Sequence, residues 1–209
     1  DCACGIGTQL IGLKQKGFDI EGSDLSNEEV KRAKKEAEFR KLKVPIRVDD
    51  MRLLNMAPLN NYGAILLMDN ALPHLLSDTD ISLAFSAMRD RLTTGGLLIL
   101  SVRDYDSILK NKPKIIDPVF FKNTQESRII HQVWDWINDR EYIVHLYITI
   151  NAKEGWKVHH FTGHYRGITT SSIQNLMEMS GFSNVKIFHP NEKGFYQPIL
   201  IGTKGGNLR

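Results

Sequence analysis

Apolar and polar positions follow two different rhythms along the 209-residue chain, and the change from one to the other divides it. In the first hundred residues, short apolar runs alternate with stretches whose apolar positions fall three and four apart. Leu10, Ile11 and Leu13 open a short helix that stops at Gly17, a residue able to take the left-handed backbone that ends helices. Phe18 to Gly22 reads as a strand. Residues 27–42 are good helix formers with Val30, Ala33, Ala37 and Leu42 on one face and Glu28 and Glu29 at the N-terminal end, where the helix dipole favours acids. Val44 to Val48 reads as another strand. The unbroken apolar run Gly63 to Met68 is the pattern of a strand buried on both faces. A helix over 79–92, ended by Gly95-Gly96, and a strand from Leu97 to Val102 complete this half. Strands and helices alternating at this spacing imply an α/β fold with a parallel, doubly wound sheet.

The second rhythm is shorter. Residues 129–136, 142–150 and 156–162 are rich in β-branched and aromatic side chains, and the turn sequences Asn138-Asp139 and Lys153-Glu154-Gly155 separate them, which predicts a small antiparallel meander inserted after the fifth strand. A helix over 169–180 and strands at 184–189 and 196–202 return the chain to the sheet. The implied division is a core over 1–112, a β insertion over 113–166 and a C-terminal return to the core over 167–209. In a doubly wound sheet a central strand runs directly into the first glycine-rich turn, yet Asp1 already stands at that turn. The expectation is a chain whose first strand is missing, belonging to a longer gene product.

Composition narrows the function. With 42% hydrophobic and 24% charged residues the chain is an ordinary globular sequence. At this length no disulfide or metal is needed for folding. Cys2 and Cys4 are only two apart with no further Cys to pair with, so both read as free thiols packed in a reducing compartment. The opening lacks a basic segment followed by an apolar one, and no run approaches a membrane span, so the expectation is a soluble, cytoplasmic protein without membrane association. A formal charge of +3 is mild, and the basic residues between Lys31 and Lys43 are interleaved with Glu36 and Glu38, as on a solvated helix face. Nucleic acid is therefore not an expected partner.

The candidate chemistry sits at the ends of the predicted strands. Gly5-Ile6-Gly7, at a strand-to-helix turn, lets backbone N–H groups approach a ligand. The dinucleotide fingerprint wants a third glycine where Leu10 stands, which argues against NAD. Asp24 ends the next strand 17 residues after Gly7, where a carboxylate can accept both hydroxyls of an unphosphorylated ribose. Asp1 beside the turn would repel a pyrophosphate and hold an ammonium. His159 and His160, adjacent in a strand, face opposite sides and do not jointly bind a metal, and no metal is expected.

Asp1-Cys2-Ala3-Cys4-Gly5-Ile6-Gly7-Thr8, Ser23-Asp24-Leu25-Ser26 and Asp49-Asp50-Met51 together resemble the first three motifs of class I S-adenosylmethionine-dependent methyltransferases. Met68-Asp69-Asn70-Ala71-Leu72-Pro73-His74-Leu75 and Gly95 to Asp106 resemble segments of glycine and glycine/sarcosine N-methyltransferases. The resemblance implies a Rossmann-like methyltransferase sheet, S-adenosyl-L-methionine as cofactor, and N-methylation of glycine, sarcosine or a similar small amine. It implies a cofactor site at Asp1, Ala3, Gly5, Gly7, Asp24, Leu25, Asp50, Met51, Met68 and Asn70, in which Asp50 accepts from the adenine amino group and Met51 packs on the ring. It assigns Arg103 to the acceptor's carboxylate and places Asn70 beside the acceptor. Tyr165 and Arg166 are further candidates for substrate contact. The aromatic-rich insertion, with Trp134, Trp136, Tyr142, Tyr147 and Trp156, reads either as a substrate lid or as plain subdomain core. At Asp69 the glycine enzymes carry Gly. The alternatives are methylation of another small metabolite and a cofactor-binding protein without catalysis. A homo-oligomer is compatible with all of these readings.

Overall fold

The computed structural model describes residues 1–122, 127–152, 155–190, 192 and 194–205. They form two compact units. One comprises residues 1–72, 77–104 and 170–209, and the other residues 73–76 and 105–169.

The first unit opens with α1 (Thr8–Gln15), β1 (Gly22–Asp24), α2 (Asn27–Phe39), β2 (Ile46–Val48) and β3 (Tyr62–Leu67). Helix α2 starts where Ser26 accepts the Glu29 N–H in an N-terminal cap. It ends three residues earlier than its composition predicts, because Lys41 takes a left-handed backbone (φ 56°) and closes the last turn. Strand β1 also departs from the expectation over Phe18 to Gly22: its ladder begins only at Gly22, paired in parallel with Ile46 of β2. Pro45 carries no N–H to continue the ladder upstream. The apolar faces of α1 and α2 meet β2 in a cluster of Leu10, Ile11, Val30, Ala33, Ala37 and Ile46, joined by Cys4.

A single 3-10 turn, Leu72–His74, ends the chain's first pass, and α3 (Asp78–Arg91) runs without a break into β4 (Leu92–Ser101). Gly95-Gly96 therefore does not stop the helix, as the pattern suggests. It forms an irregularity inside β4, where the register against β3 shifts between Tyr62 and Ala64. Gly96 is required there because a Cβ would meet the Thr93 carbonyl oxygen at 2.9 Å and that of Tyr62 at 3.1 Å. After the second unit the chain adds α5 (Thr170–Met179), β9 (Phe182–Phe188) and β10 (Ile199–Lys204), giving a four-stranded sheet in the order β3-β4-β10-β9. Strands β3 and β4 are parallel, and β10 is antiparallel to both of its neighbours.

Residues 1–4 lie between this sheet and the β1-β2 pair. Cys2 donates its N–H to Leu66, Cys4 donates to Ser23, and Ser23 donates back to Asp1. Beside this short tie lies a cavity of about 740 Å³ whose lining includes Glu21, Gly22 and Arg47 on one side and Tyr62, Gly63 and Ala64 on the other.

The second unit contains α4 (Tyr105–Asn111) and an antiparallel sheet of β5 (Ile115–Lys122), β6 (Ser127–Trp136), β7 (Glu141–Ala152) and β8 (Gly155–Arg166), paired in sequence order. The meander thus has four strands where three were expected, and α4 was not foreseen. The turn at Lys153-Glu154 lies outside the described residues. Trp134 and Tyr142 are buried, with their rings stacked at 4.5 Å. No helix among the described residues is long and apolar enough to cross a membrane.

Candidate functional site at the carboxyl ends of the strands

The first loop is built around Asp24. Its Oδ2 accepts the Gly5 N–H and its Oδ1 the Ser26 N–H, both at 2.8 Å, so one carboxylate ties the glycine turn to the end of β1. Each oxygen keeps a second acceptor position for a ligand hydroxyl. Ala3, Gly5 and Gly7 all have positive φ, at 54°, 54° and 85°. The two glycines serve different ends. A Cβ on Gly7 would come to 3.3 Å from both Ala33 and Ile11, so Gly7 allows α1 to pack against α2. A Cβ on Gly5 would meet only Glu29, at 3.8 Å, which leaves its surroundings open. Beside this turn the Asp1 Oδ2 is buried with no hydrogen-bond partner among the described residues. Leu25 follows Asp24 and exposes an apolar side chain.

After β2, Asp49 caps its own loop, accepting from the N–H groups of Asp50, Asn55 and Met56. Asp50, the candidate adenine acceptor, is already engaged: the Arg52 guanidinium donates to both of its oxygens, with the shortest bond at 2.6 Å. These hydrogen bonds hold the Asp50 carboxyl below its ordinary range. Arg52 also reaches Asp80 at 3.2 Å. The sequence did not single out Arg52, although an Arg two residues after an Asp in a turn is a local signal that could have been weighed. Met51 lies in the same turn.

At the ends of β3 and β4 the backbone is bent sharply, with Asp69 and Asn70 successively at φ 54° and 68°. Two consecutive non-glycine residues in that region are costly and persist only where the surroundings fix them. Here Ser101 supplies the fixing bonds: its Oγ accepts the Asp69 N–H at 2.8 Å and its carbonyl accepts the Asn70 N–H at 3.1 Å. Asn70 is buried, and its Oδ1 accepts the Arg103 N–H at 3.0 Å. The structure thereby brings Asn70 and Arg103, 33 residues apart, into direct contact, with Met68 immediately before the bend. The sequence reading missed Ser101, Tyr196 and Gln197. Tyr196 and Gln197 bond Asp69 from the segment before β10, and their only sequence signal was a pair of polar groups entering a strand that ends at the same edge.

Tyr165 belongs to the other unit. There it stacks on Tyr142 at 5.7 Å and tilts against His74 at 4.3 Å, while the Tyr142 and Tyr105 hydroxyls share a hydrogen bond of 2.7 Å. Arg166, at the end of β8, is buried. His145 Nδ1 lies 2.9 Å from His160 Nε2 across β7 and β8, whereas His159 stands opposite Ile148. Among the described residues no three His, Cys, Asp or Glu side chains gather as a metal site. Both thiols are buried, and burial pushes each up to about 11, so neither is a nucleophile at neutral pH.

Residues 1–96 match the methyltransferase-domain family. A glycine/sarcosine N-methyltransferase of Parasynechococcus marenigrum (strain WH8102) is 31% identical over 110 residues, 53% of this chain and 39% of that enzyme, so the chain spans about two fifths of that relative's length. Among solved structures, an S-adenosylmethionine-dependent methyltransferase from Clostridium acetobutylicum superposes with a TM-score of 0.78 at 17% identity, covering 99% of this chain and 83% of that one. An amino pentose methyltransferase from Micromonospora echinaspora gives 0.77 at 15% identity, covering 98% and 81%. The tied glycine turn and the bent strand ends thus lie on a chain whose residues 1–96 match a methyltransferase-domain family, whose fold is the Rossmann-like one of solved S-adenosylmethionine-dependent methyltransferases, and whose sequence resembles the glycine/sarcosine N-methyltransferases.

Proposed function

We propose that the protein transfers a methyl group from S-adenosylmethionine to the nitrogen of a small amine. The observation that carries the cofactor assignment is the first loop: a buried, unpartnered Asp1 Oδ2 suited to an ammonium, an open approach at Gly5, and Asp24 held by two backbone donors with acceptor positions to spare for a ribose diol. Leu25 and Met51 would offer apolar contact to the adenine. Asp50 would receive its amino group in competition with Arg52, so part of the Arg52 pairing is exchanged when the base enters.

The bound cofactor supplies an electrophilic methyl on a positively charged sulfur. The chain's own task is positioning, because an in-line displacement that neutralises charge needs little electrostatic stabilisation. An ammonium has no lone pair, so the acceptor first loses one proton to water. That would leave its nitrogen with the lone pair needed to accept a methyl group. Asn70, fixed by Ser101 and bonded to the Arg103 backbone, keeps the acceptor-side loop in place. Arg103 offers a planar, permanently charged fork to an acceptor carboxylate. The resemblance to glycine/sarcosine N-methyltransferases supports an amino-acid acceptor. The amino pentose methyltransferase of like fold favours a second reading, an amino sugar.

Calorimetric titration with S-adenosylhomocysteine, followed by turnover on a panel of amino acids, amino sugars and hydroxyl acceptors, tests this. Saturable binding with methylation of an amine is expected. Binding without turnover on any acceptor would favour a cofactor-binding protein instead.

A further inference from the structure

Asp69 stands where the resemblance leads one to expect glycine, and it is held more tightly than a loop acid needs to be. Its backbone N–H donates to Ser101 Oγ at 2.8 Å, Ser101 Oγ donates to Gln197 Oε1 at 2.9 Å, and Gln197 Nε2 donates back to Asp69 Oδ1 at 3.3 Å. This closed ring fixes which end of the Gln197 amide faces which partner. Ser101 and Gln197 are both buried, so the ring forms a rigid support from below. From the exposed side Tyr196 donates its hydroxyl to the same Oδ1 at 2.6 Å. Both bonds fall on one oxygen, and among the described residues no donor reaches Oδ2. A carboxylate anchored this way is preorganised, with one oxygen assigned to the protein and the other open to a ligand.

The surrounding charge defines that ligand. Partial desolvation and the hydrogen bond to Asp69 push the Tyr196 phenol up to about 12, so its hydroxyl remains a donor. Arg103, whose backbone N–H bonds the side chain of Asn70 next to Asp69, brings a permanently charged residue to the same strand ends. An acid and a base at the same strand ends, on either side of the buried amide of Asn70, match a molecule that carries both charges.

We propose that Asp69, held by Tyr196 and Gln197, is the residue that recognises the acceptor's amino group: its Oδ2 accepts an N–H from the amine, which selects acceptors that arrive as ammonium cations. This rests on the amine-methyltransferase reading above and deepens it. A carboxylate beside an ammonium favours the charged form, so Asp69 acts in recognition and orientation, and the proton leaves to water.

The test compares initial rates of the wild type, Asp69→Asn and Tyr196→Phe on glycine, sarcosine and an amino sugar between pH 7 and 10, with S-adenosylhomocysteine affinity measured on the same preparations. Asp69→Asn is expected to raise KM for the amine about 10- to 100-fold at pH 7 with kcat little changed. The penalty should shrink as pH rises and the acceptor loses its charge. Tyr196→Phe, which keeps the ring and the carboxylate, should give a smaller rise with the same pH dependence. Cofactor affinity should not move. An unchanged KM in both variants, a penalty independent of pH, or an equal loss of cofactor affinity overturns the assignment while the amine reading stands. A wild type that methylates no amine overturns both.

Discussion

The two units use the same apolar residues for opposite purposes. In the first, the interior strand β4 buries Leu98 and Leu100 completely, and polar residues gather at the strand ends as the candidate site. In the second, β5 and β8 carry Phe120, Val158 and Phe161 with more than half of each side chain exposed, and polar residues alternate among them. Strand composition is therefore a poor guide to burial. Only the inner rows of the meander, around Trp134 and Tyr142, act as a core, and the outer rows are an apolar surface.

The largest effect should come from that contrast. Tyr142→Ala removes a fully buried ring that touches Trp134 and Tyr165, and should cost about 3–5 kcal/mol in urea unfolding, while Phe161→Ala on the same sheet should stay within about 0.5 kcal/mol. Equal costs would mean that the outer rows are buried after all.

In the first unit the corresponding break is functional. Asp24→Ala removes the acceptor of Gly5 and Ser26, so S-adenosylhomocysteine affinity should fall by about 1.5–3 kcal/mol together with a modest drop in melting temperature. An unchanged dissociation constant would remove Asp24 from the cofactor site. Arg103→Lys keeps the charge and loses the fork, and should lower activity on an amino acid roughly 10- to 100-fold with cofactor affinity intact. A lowered melting temperature with normal acceptor kinetics would instead make Arg103 a structural loop residue.

The smallest effect concerns Asp50 and Arg52. The Asp50 pKa is depressed in the folded protein, so its stabilising contribution is present above the ordinary Asp value near 4 and is lost as pH falls through the folded pKa. Arg52→Met should cost under about 1 kcal/mol at pH 7, because Arg52 is partly exposed, and the two unfolding curves should converge in strong acid. A gap that persists in acid would assign the loss to packing.

These contrasts also mark what the sequence could reveal. Strands β3 and β4 and the meander's β6, β7 and β8 are legible because each is a continuous run of apolar, β-branched or aromatic residues between turn sequences. Strand β5 was hidden because Pro118 interrupts its run. It is tolerated because β5 is an edge strand whose register shifts between Ile116 and Val119. Gly95-Gly96 looked like a helix stop because local sequence cannot tell a C-cap from a bulge when only the neighbouring strand, at Tyr62, sets the requirement. At the candidate site, motif order singles out Asp24 and Asn70, both of which make loop-tying hydrogen bonds. It does not single out the Ser101–Gln197 link, which joins residues 96 positions apart through a sheet order that no local pattern encodes.

The buried thiols beside the first loop give the molecule a clock. With both raised to about 11, only about one in a thousand would be ionised at pH 8 even if reagent could reach them. Labelling by a thiol reagent must therefore wait until residues 1–4 detach from Ser23 and Leu66, and its rate counts those openings. A ligand that bridges Asp1, Gly5 and Asp24 would hold the segment shut, so the slowing of Cys2 and Cys4 modification would report occupancy of the loop as a lifetime, without any turnover.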